Sequence, residues 1–431
     1  TPEPVLVASG HVGEFNDLMT QCGKCSAAFR ADQLAENNHP NPEILEANEI
    51  DEILISNEIE CPNCGDKNWT PSKPMNLMFG TKIGAMRASR QAYMRPETAQ
   101  GMFMLYPSLY RHFRQKLPFG AIQTGKGYRN EISPRQGMIR LREFNMAELE
   151  YFIDPENPPA IDLSMKKDIV SFIPDPHGED HKEVKITFSE AIDQGVMKDH
   201  TVAYFLSRTL DFLIKVGINP SKIRFRQHEG TEMAHYAEDC WDCEIFGEHG
   251  WIECVGIANR TCHDLLSHEK HSSSNSLRAW REFDEPKTDT KEVLAPNTSI
   301  LGPMFRGKAG LVLESLKQLE ELPDNFPFEL QIKDGTKVEI TEEMVERKTI
   351  HTSIAGEWFT PHVIEPAFGI DRIIWHILDH AYEETEKEGE KYNLLRLSES
   401  IAPVDLIVLP LFEKDGMGET ARELNLQINQ I

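Results

Sequence analysis

The chain has 431 residues, with 70 acidic and 45 basic side chains and a formal net charge of −25. This length exceeds one ordinary domain, and the acidic balance argues against general coating of nucleic acid. No run approaches the roughly 18 apolar residues of a membrane span, the first residues lack a secretory signal, and eight cysteines are too few for a disulfide scaffold. We therefore expect a cytoplasmic protein of several units, and the lack of an initial Met predicts a fragment of a longer protein.

Two Cys-x-x-Cys pairs mark a small unit over residues 20–70. The pairs are Cys22 with Cys25 and Cys61 with Cys64. Two thiolates from each tight turn would complete a closed tetrahedral site, which is typical of structural Zn²⁺ and leaves no position for catalysis. A helix over about 42–56 is expected to fill the gap between the pairs. The alternative is a set of four free or redox-active thiols.

A charged hairpin follows. The segment "AIQTGKGYRNE" (121–131) predicts one strand, and "MIRLREFNMAELEYF" (138–152) predicts a second, antiparallel strand that alternates between an apolar face packed down and a charged face turned up. The hairpin brings the following side chains onto or near one surface: Arg129, Glu131, Arg140, Arg142 and Glu148. A solvated sheet face would also alternate. The ring of Phe144 among these charges favours a nucleotide, because guanidinium groups bind phosphate oxygens and a ring can stack on a base.

Other apolar patterns predict helices and strands of the core. Residues 200–217 and 370–381 carry apolar side chains at helical spacing, which predicts two core-packing helices. Residues 222–246 alternate as strands do. Cys240 and Cys243 in this stretch are expected to be half-buried strand thiols, because no second pair lies nearby in sequence.

Three further segments lie outside the predicted core. Residues 269–345 change to mixed, proline-containing sequence and are interpreted as a second insertion. The acidic stretch 383–391 is expected to be a solvated loop. Residues 402–412 predict a buried strand, which is followed by a helix.

The hairpin sequence "RNEISPRQGMIRLREFNMAELEYF" resembles motif 2 of the class II aminoacyl-tRNA synthetases. More narrowly, it resembles the glycyl-tRNA synthetases of the dimeric kind. Supporting segments occur in the order of that family: "PEPVLVASGHVGEFND" (2–17), "RPETAQGMF" (95–103), "RFRQH" (224–228), "MAHYAEDCWDCE" (233–244), "GWIECVGIANRTCHDL" (250–265) and the motif 3 segment "PHVIEPAFGIDR" (361–372).

The resemblance implies an α+β fold, in which an antiparallel sheet flanked by helices forms the catalytic domain. This domain is expected over 1–19, 71–268 and 346–398, interrupted by a zinc-ribbon-like insertion at 20–70 and by a second insertion at 269–345. Residues 399–431 are expected to begin an α/β anticodon-binding domain. The chain is therefore expected to be truncated at both ends.

The resemblance also implies an activity. The enzyme would activate glycine with ATP to glycyl-adenylate and transfer the glycyl group to the 3′ end of tRNA(Gly), acting as a homodimer. A second expected product is diadenosine tetraphosphate. The alternatives are a non-catalytic relative that binds nucleic acid on the same fold, and a synthetase for another small amino acid.

Residues of the ATP site follow from the motif matches. Arg129 matches the motif 2 arginine that clamps the α-phosphate and the glycine carboxylate, and Arg372 matches the motif 3 arginine, so these two are the expected catalytic residues. Glu131 would accept from the adenine amino group, Phe144 would stack on adenine, and Arg140 would hold the γ-phosphate. The remaining expected contacts with ATP are Asn130, Leu141, Glu253, Cys254 and Gly369.

The glycine site is expected to hold an ammonium group with carboxylates, because glycine has no side chain. Its expected members are Glu97, Glu148, Glu365, Ala367, Arg30 and Arg260. Several acids facing one amine repel each other in an empty site, which predicts raised pKa values. Ala367 stands where the motif often has a serine, and the lost hydrogen bond is expected to cost about 1 kcal/mol. Glu253 and Glu365 match metal-holding places and are expected to bind Mg²⁺ together with ATP.

Overall fold

The computed structural model describes residues 1–39, 42, 45–132, 134, 137–174, 183–228, 239–272, 276–319 and 322–429. The chain divides into two compact units, a larger one formed by Thr1–Leu277 with Thr360–Ile431 and a smaller one formed by Arg278–Phe359. Among the described helices, none is long and apolar enough to cross a membrane.

Helices and strands alternate irregularly along the chain. The described α-helices are α1 (Glu3–Ala8), α2 (His11–Glu14), α3 (Ala31–Ala35), α4 (Ala47–Ser56), α5 (Ala99–His112), α6 (Phe188–Asp193), α7 (His200–Lys215), α8 (His263–Ser272), α9 (Thr298–Phe305), α10 (Ala309–Lys317), α11 (Ile370–Ala381) and α12 (Met417–Ile428). The strands are β1 (Asn16–Gln21), β2 (Ala28–Arg30), β3 (Lys73–Asn76), β4 (Gly80–Ile83), β5 (Arg90–Tyr93), β6 (Phe119–Tyr128), β7 (Glu143–Ile153), β8 (Val170–Ile173), β9 (Val184–Ile186), β10 (Ile223–Gln227), β11 (Asp239–Gly247), β12 (Gly250–Thr261), β13 (Ala279–Pro296), β14 (Phe328–Gln331), β15 (Lys337–Ile340), β16 (Val345–Phe359), β17 (His362–Gly369), β18 (Tyr382–Lys387) and β19 (Glu390–Leu395).

An eight-stranded sheet forms the framework of the larger unit, in the order β6-β7-β17-β12-β11-β10-β8-β9. Its neighbouring strands are antiparallel except for the parallel pair β8 and β10. The predicted helices α7 and α11 are confirmed, and α7 packs Val202, Leu206 and Leu210 into the same core as Phe172 and Trp241 of the sheet. The α+β class with an antiparallel sheet flanked by helices is thereby confirmed.

The predicted hairpin is confirmed as β6 and β7, which pair antiparallel with Gly127 opposite Phe144. The second strand begins only at Glu143, so Arg140 and Arg142 precede it. The alternation is also confirmed, but the predicted faces are wrong. The positions that bear Glu148 and Glu150 are the buried ones, because Glu148 meets the first turn of α5 instead of solvent.

The cysteine-rich segment folds around a small sheet in the order β2-β1-β3. Ala31 of α3 packs with Ile50 and Leu54 of α4 in its core. The helix predicted over about 42–56 is present but begins at Ala47, where Glu46 and Glu49 satisfy the first backbone donors reciprocally in a capping box.

The smaller unit has its own sheet and core. Strands β13 and β16 pair from Ala279 with Phe359 to Pro296 with Val345. A separate apolar core, which includes Leu301, lies within this unit. The sequence predicted an insertion over 269–345, whereas the compact unit begins after α8 and ends with β16.

Two predictions near the end of the chain are wrong. Residues 383–391 lie in the hairpin β18–β19 and not in a loop. Residues 402–412 form no strand in the structure, and Leu409 and Leu411 are each 79% exposed. A strand needs a neighbouring strand to complete its hydrogen bonds, and none pairs with this run in the described part of the chain. The helix predicted after it is confirmed as α12.

Candidate active site

A cavity of about 180 Å³ opens above the hairpin β6–β7, strands β17 and β12, and the start of α11. Most of the predicted site residues line it. They are Glu97, Arg129, Glu131, Arg140, Leu141, Phe144, Glu148, Glu253, Cys254, Glu365, Ala367, Gly369 and Arg372. Three predicted members, Arg30, Asn130 and Arg260, do not line the cavity.

Strand register fixes the floor of the cavity. Ala367 of β17 lies opposite Glu148 of β7 on one side and opposite Gly256 of β12 on the other. Glu365 lies two residues earlier on β17 and faces Ala258. Because side chains two residues apart share a face, Glu365 and Ala367 look to the same side of the sheet.

Arg129 is held between two aromatic rings. Its guanidinium carbon lies 5.4 Å from the ring centroid of Phe15 and 5.5 Å from that of Phe144. Its backbone N–H donates to the carbonyl of Arg142 across the hairpin (3.0 Å). The buried Nε has no hydrogen-bond partner among the described residues. A half-buried guanidinium with an unused donor at its buried Nε is suited to an incoming anion.

The ring of Phe144 needs the glycine that faces it. A Cβ added to Gly127 would come within 2.6 Å of Cε2 of this ring and within 2.7 Å of the sulfur of Met146. Real Cβ atoms do not approach so closely. Gly127 therefore allows the Phe144 ring to lie over β6, where it contacts Arg129.

Glu131 and Arg140, which are predicted to contact adenine and the γ-phosphate, pair with each other. Nε of Arg140 lies 3.3 Å from Oε2 of Glu131, and Nε of Arg142 donates to the backbone carbonyl of Glu131 (2.9 Å). The backbone N–H of Asn130 donates to the carbonyl of Leu77 (2.7 Å), which ties the end of the hairpin to the segment after β3.

Arg372 lies in the first turn of α11 and crosses the cavity wall. Its Nε donates to the carbonyl of Ile139 (3.1 Å), while Nη1 donates to the carbonyl of Glu253 (2.6 Å) and to its Oε2 (3.2 Å). The first turn of a helix is also its positive end. The guanidinium of Arg372 thus connects α11 with β12 and with the segment around Ile139 that precedes β7.

Asp371 fastens this helix to the hairpin, a role that the sequence analysis missed. Its Oδ2 accepts from the backbone N–H of Asn145 (2.6 Å) and its Oδ1 from the Nδ2 of Asn145 (2.8 Å). Asp371 is buried. An acid in the first turn of a helix was the available sequence signal, but its partner lies 226 residues away.

Cys254 contributes its backbone to the cavity wall while its thiol points elsewhere. The buried Sγ donates to the carbonyl of Ile252 (3.3 Å) and lies 3.5 Å from Nδ1 of His376. Burial raises the pKa of this thiol, an effect that Arg372 opposes. The thiol is therefore protonated and is not a nucleophile.

Acids converge at the other end of the cavity. We call the following five residues the carboxylate cluster: Glu97, Glu148, Glu150, Asp264 and Glu365. Arg260 lies behind them and is only 4% exposed. Its Nη1 donates to Oε2 of Glu365 (2.6 Å), and its Nε donates to Oδ2 of Asp264 (2.8 Å). Arg260 therefore supports the acids from within the protein, and Asp264 is a partner that the sequence analysis missed.

Glu148 joins the cluster to a helix terminus. Its Oε2 accepts from the backbone N–H groups of Thr98 (2.6 Å) and Ala99 (2.8 Å) and from the Thr98 hydroxyl (2.5 Å). These are the first donors of α5, where the positive end of the helix favours a negative charge. All three bonds end on one oxygen, which leaves Oε1 without a hydrogen bond in the described part of the chain.

Glu97 is paired with His11, which the sequence analysis did not identify. Nε2 of His11 lies 3.4 Å from Oε2 of Glu97, and Gln100 donates to Oε1 (2.9 Å). Burial alone would raise the pKa of Glu97, but the charges of His11 and Arg260 outweigh it and lower this pKa below its usual range. The same pairing raises the pKa of His11 against its own burial.

The pKa values of other acids in the cluster are raised, as the sequence predicted. Burial, with the charge of Glu97 close by, raises the pKa of Glu148. Burial and the neighbouring acids raise the pKa of Glu365 to about 8, although Arg260 opposes this. They raise the pKa of Glu150 well above its usual value, and neither oxygen of Glu150 has a partner among the described residues. Among the described residues, the close cations of these five acids are Arg260 and His11, so the five cannot all be ionised together.

Arg30 lies in the cysteine-rich segment and not at the cavity. It forms ion pairs with Asp17 (3.4 Å) and Asp32. Burial opposes the charge of Arg30, but these two acids raise its pKa. The geometry therefore supports a structural ion pair at Arg30 and gives no support to a contact with glycine.

The two acids predicted to hold magnesium lie at opposite ends of the cavity. On β12, the partner of Glu365 is Ala258, which is five residues along the strand from Glu253. Five residues of a strand span about 16 Å, whereas the ligands of one Mg²⁺ ion lie about 2.1 Å from it. One ion cannot bind both residues, so the predicted contacts of Glu253 and Glu365 with Mg²⁺ would need two separate ions. Glu253, beside Arg372, lies at the predicted phosphate end.

The four cysteines of the segment 20–70 lie close together, as predicted. Sγ of Cys22 lies 3.6 Å from Sγ of Cys64, and Sγ of Cys25 lies 3.7 Å from Sγ of Cys61. Four thiolates bonded to Zn²⁺ at about 2.3 Å would lie about 3.8 Å apart at the corners of a tetrahedron. Each pair sits on a turn in which the fourth residue after the first cysteine has positive φ, Ser26 at 60° and Gly65 at 73°. The cluster therefore fits a structural zinc ion.

Comparison with known proteins gives a consistent result. The model of the tRNA synthetase class II core domain (G, H, P, S and T) matches residues 82–178. The chain is 42% identical to a glycine–tRNA ligase of Methanothrix thermoacetophila, over 98% of this chain and 73% of the relative. It is 43% identical to a glycine–tRNA ligase of Methanocaldococcus jannaschii, over 100% of this chain and 76% of the relative. A solved Giardia lamblia prolyl-tRNA synthetase in complex with prolyl-adenylate aligns with a TM-score of 0.39 and 12% identity, over 82% of this chain and 46% of that one.

Proposed function

The chain belongs to the glycine–tRNA ligase family, and on that premise we propose that it activates glycine with ATP and transfers the glycyl group to tRNA(Gly). The observation that carries this proposal is the polarity of the cavity. Arg129 and Arg372 supply cations at one end, and the carboxylate cluster supplies acids at the other. A nucleotide phosphate and an amine would therefore each find a complementary partner.

In the first step, a carboxylate oxygen of glycine forms a bond to the α-phosphorus of ATP. The bond from this phosphorus to the bridging oxygen breaks, and pyrophosphate leaves. Negative charge grows on the α-phosphate in the transition state, so cations placed in advance lower the barrier. Arg129 has the unused donor for this task, and Arg372 is held in place by Ile139 and Glu253.

At the nucleotide end, Phe144 offers a ring on which adenine can stack, and the Glu131 carboxylate can accept from the adenine amino group. Arg140, which pairs with Glu131 in the structure, would turn to the γ-phosphate when ATP binds. Leu141, Gly369 and the backbone of Cys254 line the same space. Mg²⁺, held by Glu253 and by phosphate oxygens, would neutralise charge on the departing pyrophosphate.

Glycine recognition would rest on the carboxylate cluster. The ammonium group fits between Glu97, Glu148 and Glu365, which line the cavity, while Arg260 holds two acids of the cluster from behind. Ala367 lies opposite Glu148 on the floor. A larger amino acid would bring its side chain against this wall, so selectivity comes from exclusion as much as from attraction.

Further features of the proposal follow from family membership and from the sequence resemblance. We infer that the enzyme works as a homodimer in the cytoplasm, with tRNA as its second substrate. Diadenosine tetraphosphate would form when a γ-phosphate oxygen of a second ATP, in place of tRNA, bonds to the phosphorus of the adenylate, so that the bond to the glycyl oxygen breaks and glycine leaves. Structural zinc in the four-cysteine site would stabilise the segment 20–70.

Amino-acid-dependent exchange of pyrophosphate into ATP tests the proposed function. Glycine should support exchange, whereas alanine and serine should support far less. Exchange with alanine or serine at the rate of glycine would overturn the assignment. Absence of exchange with every amino acid would favour the non-catalytic alternative.

The role of Arg129 is tested by Arg129→Ala. The variant should lose at least about a hundredfold in the rate of exchange, which is typical for removal of one charge-stabilising donor. Arg111→Ala is the matched control, because Arg111 is exposed on α5, where its described bond is to Ser108. Retained exchange in Arg129→Ala, with the control unchanged, would remove Arg129 from the mechanism.

A further inference from the structure

A histidine, a cysteine and an aspartate meet on the central sheet beyond the residues that line the cavity. Strands β10 and β11 pair with Gln227 opposite Trp241. The next pair is His228 with Cys240, and the backbone N–H of His228 donates to the carbonyl of Cys240 (2.9 Å). Asp242 lies two residues beyond Cys240 on β11 and therefore shares its face.

The three side chains already have nearly the spacing of metal ligands. Nε2 of His228 lies 2.8 Å from Oδ2 of Asp242. One ligand atom from each of His228, Cys240 and Asp242 lies within 4.8 Å of the other two. Ligands bonded to Zn²⁺ at about 2.0–2.3 Å lie about 3.3–3.8 Å apart in a tetrahedron, so small side-chain rotations would bring the three atoms to that spacing.

The neighbouring residue pairs of β10 and β11 join a basic side chain to an acidic one. Arg224 of β10 forms an ion pair with Glu244 of β11, and Arg226 lies 3.5 Å from both Asp242 and Glu244. A cation thus faces an acid at these positions. At the end of the ladder, His228 faces a thiol instead.

Imidazole, thiolate and carboxylate together favour zinc. A thiolate is too soft for Mg²⁺ or Ca²⁺, whereas Zn²⁺ accepts all three donor types. Arg226 can remain paired with Glu244 when a cation takes its place beside Asp242. Only 5% of the Asp242 side chain and 25% of the His228 side chain are exposed, so water competes weakly for these donors.

We propose that His228, Cys240 and Asp242 form a second zinc site, separate from the four-cysteine site. Three protein ligands leave the fourth position of the ion open to water or to an exogenous donor, unlike the closed set of four thiols. The site lies on β11 and at the end of β10, with Asp242 near the cavity residue Glu253, and it does not depend on the proposed activity.

Metal content of the purified chain, grown with zinc and freed of loosely bound metal, tests the proposal. The unaltered chain should hold about two zinc ions. His228→Gln and Cys240→Ser should each hold one, whereas Cys262→Ser should still hold two, because Cys262 belongs to neither group. A chain that holds one zinc ion or none, with the same content in His228→Gln and Cys240→Ser, would overturn the proposal and leave an ion pair between His228 and Asp242.

Cobalt gives a readout that needs no variant. Titration of the metal-free chain with Co²⁺ should bind two equivalents, both with thiolate-to-metal absorption. The equivalent in the proposed site has one thiolate ligand, so its absorption should be about a quarter of that from the four-cysteine site. A second equivalent without thiolate absorption, or saturation at one equivalent, would contradict the proposal.

Discussion

Among single residues, Glu150 has the most unusual surroundings. It is fully buried between other acids of the carboxylate cluster, and neither of its oxygens has a hydrogen bond in the described part of the chain. Such a carboxyl group is tolerated as the neutral acid, because the ionised form would have no compensation for burial. As a neutral acid, Glu150 fills buried space near Glu365 without adding a further negative charge there.

This arrangement predicts an unusual dependence of stability on pH. The pKa of Glu150 lies well above 4.5 in the folded chain, so the folded state binds a proton that the unfolded state releases above pH 4.5. Stability from this group is full below pH 4.5 and falls by about 1.4 kcal/mol per pH unit up to the folded pKa. Glu150→Gln should therefore gain stability over the unaltered chain as the pH rises from 5 to 8.

Denaturant unfolding at several pH values measures the difference. Glu52→Gln, on the exposed side of α4, is the control and should follow the unaltered chain at every pH. If the stability of Glu150→Gln kept a constant offset across this range, Glu150 would be ionised in the folded chain.

Sequence reasoning identified most of the residues that line the cavity, because they lie in short motifs that are each contiguous in the chain. It missed His11 and Asp371, whose partners are remote in sequence, and Asp264, which pairs with Arg260 only four residues away. It also took the apolar face of β7 to be the packed one, whereas the positions of Glu148 and Glu150 are the more buried. Alternation shows that two faces exist, but which face is buried depends on α5, whose first turn precedes Glu148 by 50 residues.

At the scale of elements, α11 and β7 form the frame that aims Arg372. Asp371 accepts two hydrogen bonds from Asn145, one from the backbone and one from the side chain. These bonds set the position of the first turn of α11, and Arg372 follows directly. The geometry of the predicted phosphate end therefore depends on a contact between two protein residues, Asp371 and Asn145.

Asp371→Asn should weaken this frame. An amide lacks the charge and has one oxygen acceptor, so one of the two bonds is lost, at a cost of about 1–3 kcal/mol in stability. The KM for ATP in the exchange reaction should rise several-fold, while the KM for glycine changes less. Asp379→Asn, later on α11, is the matched control, because Asp379 accepts from the backbone of Glu248. Equal effects of both variants on the KM for ATP would mean that Asp371 acts only on stability.

The wrong strand at 402–412 illustrates a limit at this scale. The run is apolar enough for a buried strand, yet in the structure its side chains are largely exposed. A strand forms only when another strand completes its hydrogen bonds, and the sequence of one strand does not supply that partner.

At the scale of the whole molecule, the smaller unit begins and ends at neighbouring residues, so it can be deleted at one point. Its entry and exit pair directly, Ala279 with Phe359, and paired residues of antiparallel strands lie about 5 Å apart. Its apolar core, which includes Leu301 and Ile340, is its own. The chain on either side could therefore be joined by a short turn.

Replacement of Arg278–Phe359 by a short Gly-Ser linker should leave exchange activity with glycine within about threefold, because the cavity lies wholly in the larger unit. Circular dichroism and exchange kinetics on the shortened chain provide the measurement. An isolated 278–359 fragment with its own cooperative unfolding transition is the companion experiment. A shortened chain that is folded but inactive would show that catalysis needs the smaller unit.

Glu148 carries a consequence for fidelity. One of its oxygens caps α5, and under the proposed function the other would accept from the amino group of glycine. A mutation that removes this carboxylate also removes the helix cap. Loss of a cap costs about 1 kcal/mol of stability, so a substitution that weakens recognition of the amino group would also lower the amount of folded enzyme.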